Sequence, residues 1–184
     1  MTRMIALLRG INVGAGNRIR MDALRLLFEQ AGFSGVATYI QSGNVLFSTD
    51  APERSVQDTI QRILLEGAEI KTTVVLRSAE ELAAIVSNCP FSSAEIEVAQ
   101  RDNTEGESFY VYLLPQAPDP ETLQVLDALP QESDRFVIVG RDVYLLLRQS
   151  IRNSKLAIKL QKLFPEATAR NWNTINQLHQ LSQS

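Results

Sequence analysis

A glycine-rich segment near the N terminus contains the residues best suited to hold a ligand. Residues 10–16 include three glycines, which allow tight turns and a close approach of backbone N–H groups to a bound group. Arginines flank these glycines, and a helix is predicted directly after them, so its N-terminal end favours an anion. The candidate ligand-binding residues of this segment are Arg9, Gly10, Asn12, Gly14, Gly16, Arg18 and Arg20.

The same segment matches neither of the two common nucleotide-binding loops. A dinucleotide-binding loop needs a third glycine, but Gly16 is followed by Asn17, Arg18 and Ile19. A P-loop ends in Gly-Lys-Ser or Gly-Lys-Thr, and this ending is absent from the segment. The glycines are therefore equally consistent with ordinary turns.

A predicted hairpin turn contributes a second group of candidates. Gln41, Ser42 and Asn44 are polar and surround Gly43. Asparagine and glycine both tolerate positive φ, so the turn is explained as well by backbone geometry as by a ligand.

Two segments near the C terminus contain the last group. Arg170 has a planar guanidinium that suits phosphate or carboxylate, whereas Asn171 or Asn173 could serve only as a helix N-cap. Ser154-Lys155 fits a helix cap followed by a surface lysine, and the S-x-x-K spacing of serine acyl enzymes is absent. The C-terminal candidates are Arg152, Ser154, Lys155, Arg170, Asn171 and Asn173.

The distribution of charge is more informative than its total. The chain of 184 residues has 18 basic and 21 acidic side chains and a formal net charge of −3. Residues 1–21 hold four arginines and no acid, and residues 143–184 hold six basic side chains and one acid. Acidic residues concentrate in the segment 95–107. This separation predicts a basic patch on a protein that is acidic overall.

Several classes of function lack the residues that they need. Cys89 is the single cysteine and His179 the single histidine, which excludes an internal disulfide, a metal-ligand cluster and a Ser-His-acid triad. No apolar run approaches the roughly 18 residues that span a bilayer. We expect a cytoplasmic protein with no membrane contact, metal or cofactor, and the sequence leaves open whether it catalyses a reaction.

The pattern of apolar residues predicts the same order of elements twice, strand-helix-strand-strand-helix-strand and a further helix. The predicted strands are residues 4–9, 36–41, 45–48, 70–77, 109–114, 136–139, 143–147 and 167–169. This order predicts an α+β protein of two tandem ferredoxin-like (βαββαβ) subdomains, and a single mixed sheet is the alternative. The predicted subdomains are residues 1–88 and 108–184, joined by a linker or surface loop at 89–107.

The predicted topology brings the polar segments together. In a βαββαβ unit, the first two strands are parallel and their C-terminal ends share one edge of the sheet. We therefore expect residues 10–20 to lie beside the turn at 41–44. In the second subdomain, strands three and four end at a common edge, which predicts that Arg152 and Lys155 approach Arg170.

Four segments of the sequence resemble the domain-of-unknown-function 1697 family. They are residues 6–14 (ALLRGINVG), 39–45 (YIQSGNV), Ser154-Lys155, and Thr168 with residues 170–174 (RNWNT). The resemblance implies a bacterial cytoplasmic α+β protein of two related ferredoxin-like subdomains, and it implies no established activity, cofactor or catalytic residue. Arg20 departs from the family pattern, which has a proline at that position.

These observations favour one function and leave two alternatives open. We expect a module that binds a small anionic, phosphorylated ligand in a basic cleft between the two halves. Single-stranded nucleic-acid binding is disfavoured, because the strand containing Phe109, Tyr110 and Tyr112 has no interleaved basic residues and the net charge is negative. A protein-interaction or self-association domain is the other alternative, and the sequence does not indicate the oligomeric state.

Overall fold

The computed structural model describes every residue from Met1 to Ser184 and divides into two compact units. The first unit combines Met1–Ala84 with Asn176–Ser184, and the second is Ile85–Ile175. Each unit is built on one four-stranded antiparallel sheet. No helix combines the length and the apolar character needed to cross a membrane.

Apart from one additional helix between the two repeats, the elements follow the chain in the order that the sequence predicts. The first repeat consists of β1 (Thr2–Leu8), α1 (Met21–Gln30), β2 (Ser34–Tyr39), β3 (Asn44–Thr49), α2 (Glu53–Ala68), β4 (Val74–Ser78) and α3 (Ala79–Ser87). After α4 (Ser93–Asp102), the second repeat consists of β5 (Phe109–Leu113), α5 (Pro120–Asp127), β6 (Arg135–Val139), β7 (Asp142–Leu146), α6 (Lys155–Leu163), β8 (Thr168–Asn171) and α7 (Trp172–Ser182).

The strand orders confirm the predicted fold. The first sheet has the order β2-β3-β1-β4 and the second β6-β7-β5-β8. In both sheets the first strand of the repeat is central, with its third and fourth strands on either side, which is the ferredoxin-like arrangement. The protein is therefore a mixed α+β chain of two similar halves, as predicted from the repeated order of elements.

The pairing registers show that the two halves are structural repeats. Arg77 in β4 lies opposite Ile5 in β1, and Arg170 in β8 lies opposite Val111 in β5. Both arginines are buried. The residue that follows each arginine caps the next helix with its side chain: Ser78 Oγ accepts from Glu81 N, and Asn171 Oδ1 accepts from Thr174 N. Such agreement in register and capping supports the duplication that the repeated order of elements predicts.

One face of the first sheet packs against α1 and α2. Its core includes Phe28, Phe33 and Phe47, whose ring centroids lie between 4.7 and 5.7 Å apart. Burial of each aromatic side chain stabilises the fold by about 1.5–3 kcal/mol. This core fixes the ends of the strands, and thereby the loops that leave them.

Both faces of the second sheet are covered. Tyr112, Val143 and Leu145 pack with the buried side of α6. On the opposite face, the ring of Phe109 lies 4.7 Å from Trp172, and Tyr144 Oη donates a 2.7 Å hydrogen bond to Ile85 O. The aromatic residues of this opposite face are therefore interior residues.

The helix α4 corrects the interpretation of residues 89–107 as a linker or surface loop. Ser92 and Glu95 form a reciprocal capping box that starts α4, and Ala99 on the same helix is buried. Ion pairs Arg135–Glu95 at 2.9 Å and Arg148–Asp102 at 3.0 Å join α4 to β6 and to the segment that follows β7. The prediction of a loop was wrong because the many polar residues of this segment are typical of loops and obscured the capping-box spacing of Ser92 and Glu95.

Candidate ligand-binding sites

In the first unit, Asn12 holds the glycine-rich segment against the neighbouring turn. Its Nδ2 donates to Ile19 O and to Gln41 O, both at 2.9 Å, and its Oδ1 accepts from Ile19 N at 2.9 Å. The backbone adopts positive φ at Gly10 and Gly14, as such a tight path requires. The predicted neighbourhood of the segment and the turn is confirmed, and Asn12 has a structural role in it.

The turn itself is shaped by packing. Asn44 is completely buried, and its Nδ2 donates to Tyr39 O and to Ser42 Oγ, both at 3.0 Å. Gly43 has φ +85°, and a Cβ atom there would lie 3.0 Å from side-chain atoms of Ile11 and Leu8. Ser42 and Asn44, which the sequence offered as ligand-binding candidates, thus stabilise the turn.

Two arginines of the loop bind atoms close to them in the sequence. Arg18 Nη2 donates to Gly14 O at 2.6 Å, and Arg20 forms an ion pair with Asp22 at 3.0 Å. Hydrogen bonding with Asp22 raises the pKa of Arg20, and the same bond lowers the pKa of Asp22. Both arginines are exposed, as are Arg9, Gly14, Gly16 and Gln41. The loop therefore presents positive charge to solvent on a well-fixed backbone.

In the second unit, the sheet separates Arg170 from the start of α6. The strands β7 and β8 do end at one edge, since Leu146 lies opposite Phe109 and Asn171 opposite Tyr110. However, Arg170 pairs with Val111, and directly opposed residues share a face of the sheet. The helix α6 covers the other face, on which Tyr112 lies. The expectation that Arg170 approaches Lys155 is corrected by this register.

Arg170 is an interior residue. It is 7% exposed, and its Nη1 donates to Thr168 Oγ1 at 2.7 Å and to Ala169 O at 2.9 Å. Burial lowers the pKa of Arg170 to about 10, so the guanidinium remains charged at neutral pH. Its neighbour Asn171 is the N-cap residue of α7, while Asn173 is exposed on the first turn.

The start of α6 lines a concavity of about 540 Å³ in the second unit. Lys155 and Lys159 lie one helical turn apart on this surface, and the amides of Gln149 and Asn153 border it. Ser154 is the N-cap, with Oγ accepting from Ala157 N at 3.1 Å. Two cations, two amide groups and the first turn of α6 therefore line one pocket together with the carboxylates of Glu132 and Asp134, and we call it the α6 pocket.

A buried carboxylate that the sequence analysis missed supports the α6 pocket. Asp134 is 6% exposed, and it accepts from Arg148 N at 3.0 Å, Gln149 Nε2 at 2.6 Å and Ser154 Oγ at 2.8 Å. Because the Ser154 hydroxyl is buried and already donates to Asp134, it does not act as an exposed nucleophile. Nothing in the Ser133-Asp134 dipeptide distinguishes it from an ordinary surface turn, so only the fold reveals this role.

Arg152 lies in a different concavity, of about 460 Å³. Glu105, Glu107 and Tyr110 also line it, and Asn153 Nδ2 donates to Glu105 Oε2 at 3.3 Å. Arg152 thus shares this concavity with two acidic side chains. Across the chain, no three His, Cys, Asp or Glu residues are grouped as metal ligands.

The two four-stranded sheets and their strand orders define the class of this protein, which is that of proteins with two tandem ferredoxin-like units. Within that class, the chain belongs to the family described as protein of unknown function DUF1697, whose model matches residues 1–144. The C-terminal segments quoted for the resemblance, from Ser154 onward, lie beyond the matched residues.

One solved structure shows the same fold along the whole chain. It is the conserved bacterial protein SP0830 from Streptococcus pneumoniae, with 20% sequence identity and a TM-score of 0.79. The similarity covers 100% of this chain and 99% of that chain. No curated protein matches this sequence. The comparisons therefore establish the family and the fold.

Proposed function

We propose that this protein binds a small anionic ligand, with phosphorylated small molecules as the favoured class, in the α6 pocket. The observation that carries the proposal is the placement of Lys155 and Lys159 on one concave surface at the N-terminal end of α6. A helix N-terminus carries a partial positive charge, and ammonium groups are strong donors to phosphate oxygens. The amide nitrogens of Gln149 and Asn153 already donate to Asp134 and Glu105, so the two lysines provide the main attraction for an anion.

The acidic side chains of the α6 pocket do not cancel this attraction. Asp134 directs its carboxylate toward three donors of the protein. Glu132 is exposed, and solvent screens its charge. Lys155 and Lys159 are exposed as well, so their attraction for an anion should be strongest at low ionic strength.

A titration with matched lysine variants tests the proposal. Thermal unfolding in low-salt, phosphate-free buffer against nucleotides, sugar phosphates and carboxylates selects a probe, since a ligand at a hundred times its Kd stabilises by about 2.7 kcal/mol. We expect Lys155→Gln and Lys159→Gln each to weaken binding about tenfold, equivalent to about 1.4 kcal/mol. Lys162→Gln, on the same helix but outside the pocket, is the control and should bind as the parent does. The proposed site would be refuted if Lys155→Gln and Lys159→Gln bound the probe as tightly as the parent and the Lys162→Gln control do.

Base stacking on the sheet, the usual mode of nucleic-acid binding in ferredoxin-like domains, has little support in the second unit. That mode needs exposed aromatic side chains on the sheet. Phe109 and Tyr144 are 3% and 1% exposed, and Phe91 and Trp172 cover them. Small-ligand binding in the α6 pocket is the function that the geometry supports best.

A further inference from the structure

The outer strand β2 of the first sheet is an unusually neutral edge. Residues 32–49, which include β2, the turn and β3, contain no charged side chain and no proline. Natural edge strands commonly carry charges or proline that prevent pairing with another strand. Directly after β2, Ile40 is 47% exposed and has φ +47°, a conformation that is costly for a β-branched residue.

The hydrogen-bond pattern shows which groups of β2 point outward. Leu8 N donates to Gly43 O at 2.9 Å, which makes Leu7–Asn44 a non-hydrogen-bonded pair between β1 and β3. Asn44 therefore directs its backbone groups toward Tyr39 in β2, which makes Tyr39–Asn44 a hydrogen-bonded pair. The next hydrogen-bonded pair between β2 and β3 is Ala37–Leu46. By alternation, the N–H and C=O groups of Thr38 point away from β3 toward the outer side of the sheet.

The equivalent edge of the second sheet, β6, carries protection that β2 lacks. One of its outward N–H groups, on Phe136, donates to Gln131 Oε1 at 2.9 Å, so a side chain occupies the place of a strand partner there. The charged Arg135 begins that strand. On β2, Arg3 Nη1 donates to Gly35 O at 2.7 Å, at the bulged end of the strand. The bond and the bulge protect this end of β2, and the regularly paired segment from Ala37 to Tyr39 remains as a pairing edge.

We propose that two copies of this chain associate by antiparallel pairing of their β2 strands about a two-fold axis at Thr38. The Thr38 residues of both copies then exchange their outward N–H···O=C bonds, and Ala37 of each copy lies opposite Tyr39 of the other. The regular pairing ends at Tyr39, because Ile40 has φ +47°. An isologous pairing sets like residues near one another, so a strand free of charge suits a second copy of itself. This association is independent of ligand binding in the α6 pocket.

Charge variants at the axis provide the first test, by sedimentation velocity over a range of protein concentrations. The parent should show a concentration-dependent dimer. Thr38→Lys and Thr38→Glu should each be monomeric, because like charges lie directly opposite one another. An equimolar mixture of the two should restore a dimer. The control Thr104→Lys, an exposed position in the second unit, should behave as the parent does.

A conservative variant keeps the test decisive if a charge at position 38 impairs folding. In a Cys89→Ser background, Thr38→Cys should be joined efficiently by a short bis-maleimide, since opposed Cβ atoms lie about 4.5–5.5 Å apart. Thr104→Cys is the matched control and should not be joined. A parent that is monomeric at all concentrations overturns the proposal. So does a dimer that persists unchanged in Thr38→Lys, or cross-linking that is equal at positions 38 and 104.

Discussion

Replacement of Asp134 with alanine removes one acceptor that three donors of the second unit share. The carboxylate joins the end of β7 to the N-cap of α6, because it binds Arg148 N, Gln149 Nε2 and Ser154 Oγ. The Ser154 hydroxyl is completely buried, so water does not replace the lost partner. We therefore expect Asp134→Ala to destabilise the second unit more than an ordinary surface substitution.

The magnitude follows from the burial of each donor. A buried group that loses a hydrogen bond to a charged partner costs about 1.5–3 kcal/mol, and Ser154 is in this class. The donors on Arg148 and Gln149 belong to exposed residues and regain water, so each loses about 0.5 kcal/mol. Loss of a negative charge near the N terminus of α6 adds about 0.3–1 kcal/mol. The expected total is about 3–5 kcal/mol.

The single tryptophan gives a local assay for this prediction. Trp172 packs against Phe109 in the second unit, so its fluorescence in a urea titration reports the free energy of unfolding of that unit. Asp127→Ala, an exposed aspartate on α5, is the control and should change that free energy by less than about 0.5 kcal/mol. A loss below about 1 kcal/mol for Asp134→Ala would contradict the reasoning. The reasoning would also be contradicted if Ser154→Ala lowered the free energy of unfolding by the same amount in the Asp134→Ala background as in the parent protein.

Three further predictions concern backbone geometry and pH. Glu69→Gly should raise the urea midpoint, with a gain of about 1 kcal/mol, because this exposed residue ends α2 with φ +54°; a lower midpoint would refute it. Gly43→Ala should lower the free energy of unfolding by about 2 kcal/mol and with it the thermal midpoint, since φ is +85° and the added Cβ would lie 3.0 Å from two side chains. An unchanged midpoint would contradict the close packing. The hydrogen bond from Ser92 N and the pairing with Arg135 lower the pKa of Glu95 from 4.5 to about 2. Because the folded-state pKa of Glu95 is depressed, its contribution to stability should be complete above pH 4.5 and should disappear as pH falls through 2. Amide hydrogen exchange in α4, measured against Glu95→Gln as the reference, would show this loss.

Some parts of the candidate sites were within reach of sequence reasoning because they depend on local or topological rules. The adjacency of residues 10–20 and the turn at 41–44 follows from the βαββαβ order, and the Asn12–Gln41 contact confirms it. Ser154 and Asn171 act as N-caps, roles that the sequence analysis offered as alternatives to ligand binding. The helix α4 was also detectable, since Ser92 and Glu95 have the spacing of a capping box.

The parts that sequence reasoning did not reach depend on register and burial. Arg170 lies on the face of the second sheet away from α6 because it pairs with Val111. A shift of one residue in that register would place it on the other face, and residue patterns alone do not fix a register so finely. Asp134 became a buried acceptor only because the ends of β7 and α6 meet around it.

For this chain, apolar periodicity and the repeated order of elements determined by themselves the two ferredoxin-like units and the edge at which the polar loops gather. Those properties depend on the spacing of apolar and turn residues along the chain, which can be read directly from the sequence. Tertiary structure alone decided that Lys155 and Lys159 share a pocket, that Arg170 is interior, and that β2 carries less protection than β6. Each of these depends on contacts between residues far apart in sequence, whose geometry exists only once the strands are paired and the helices are packed.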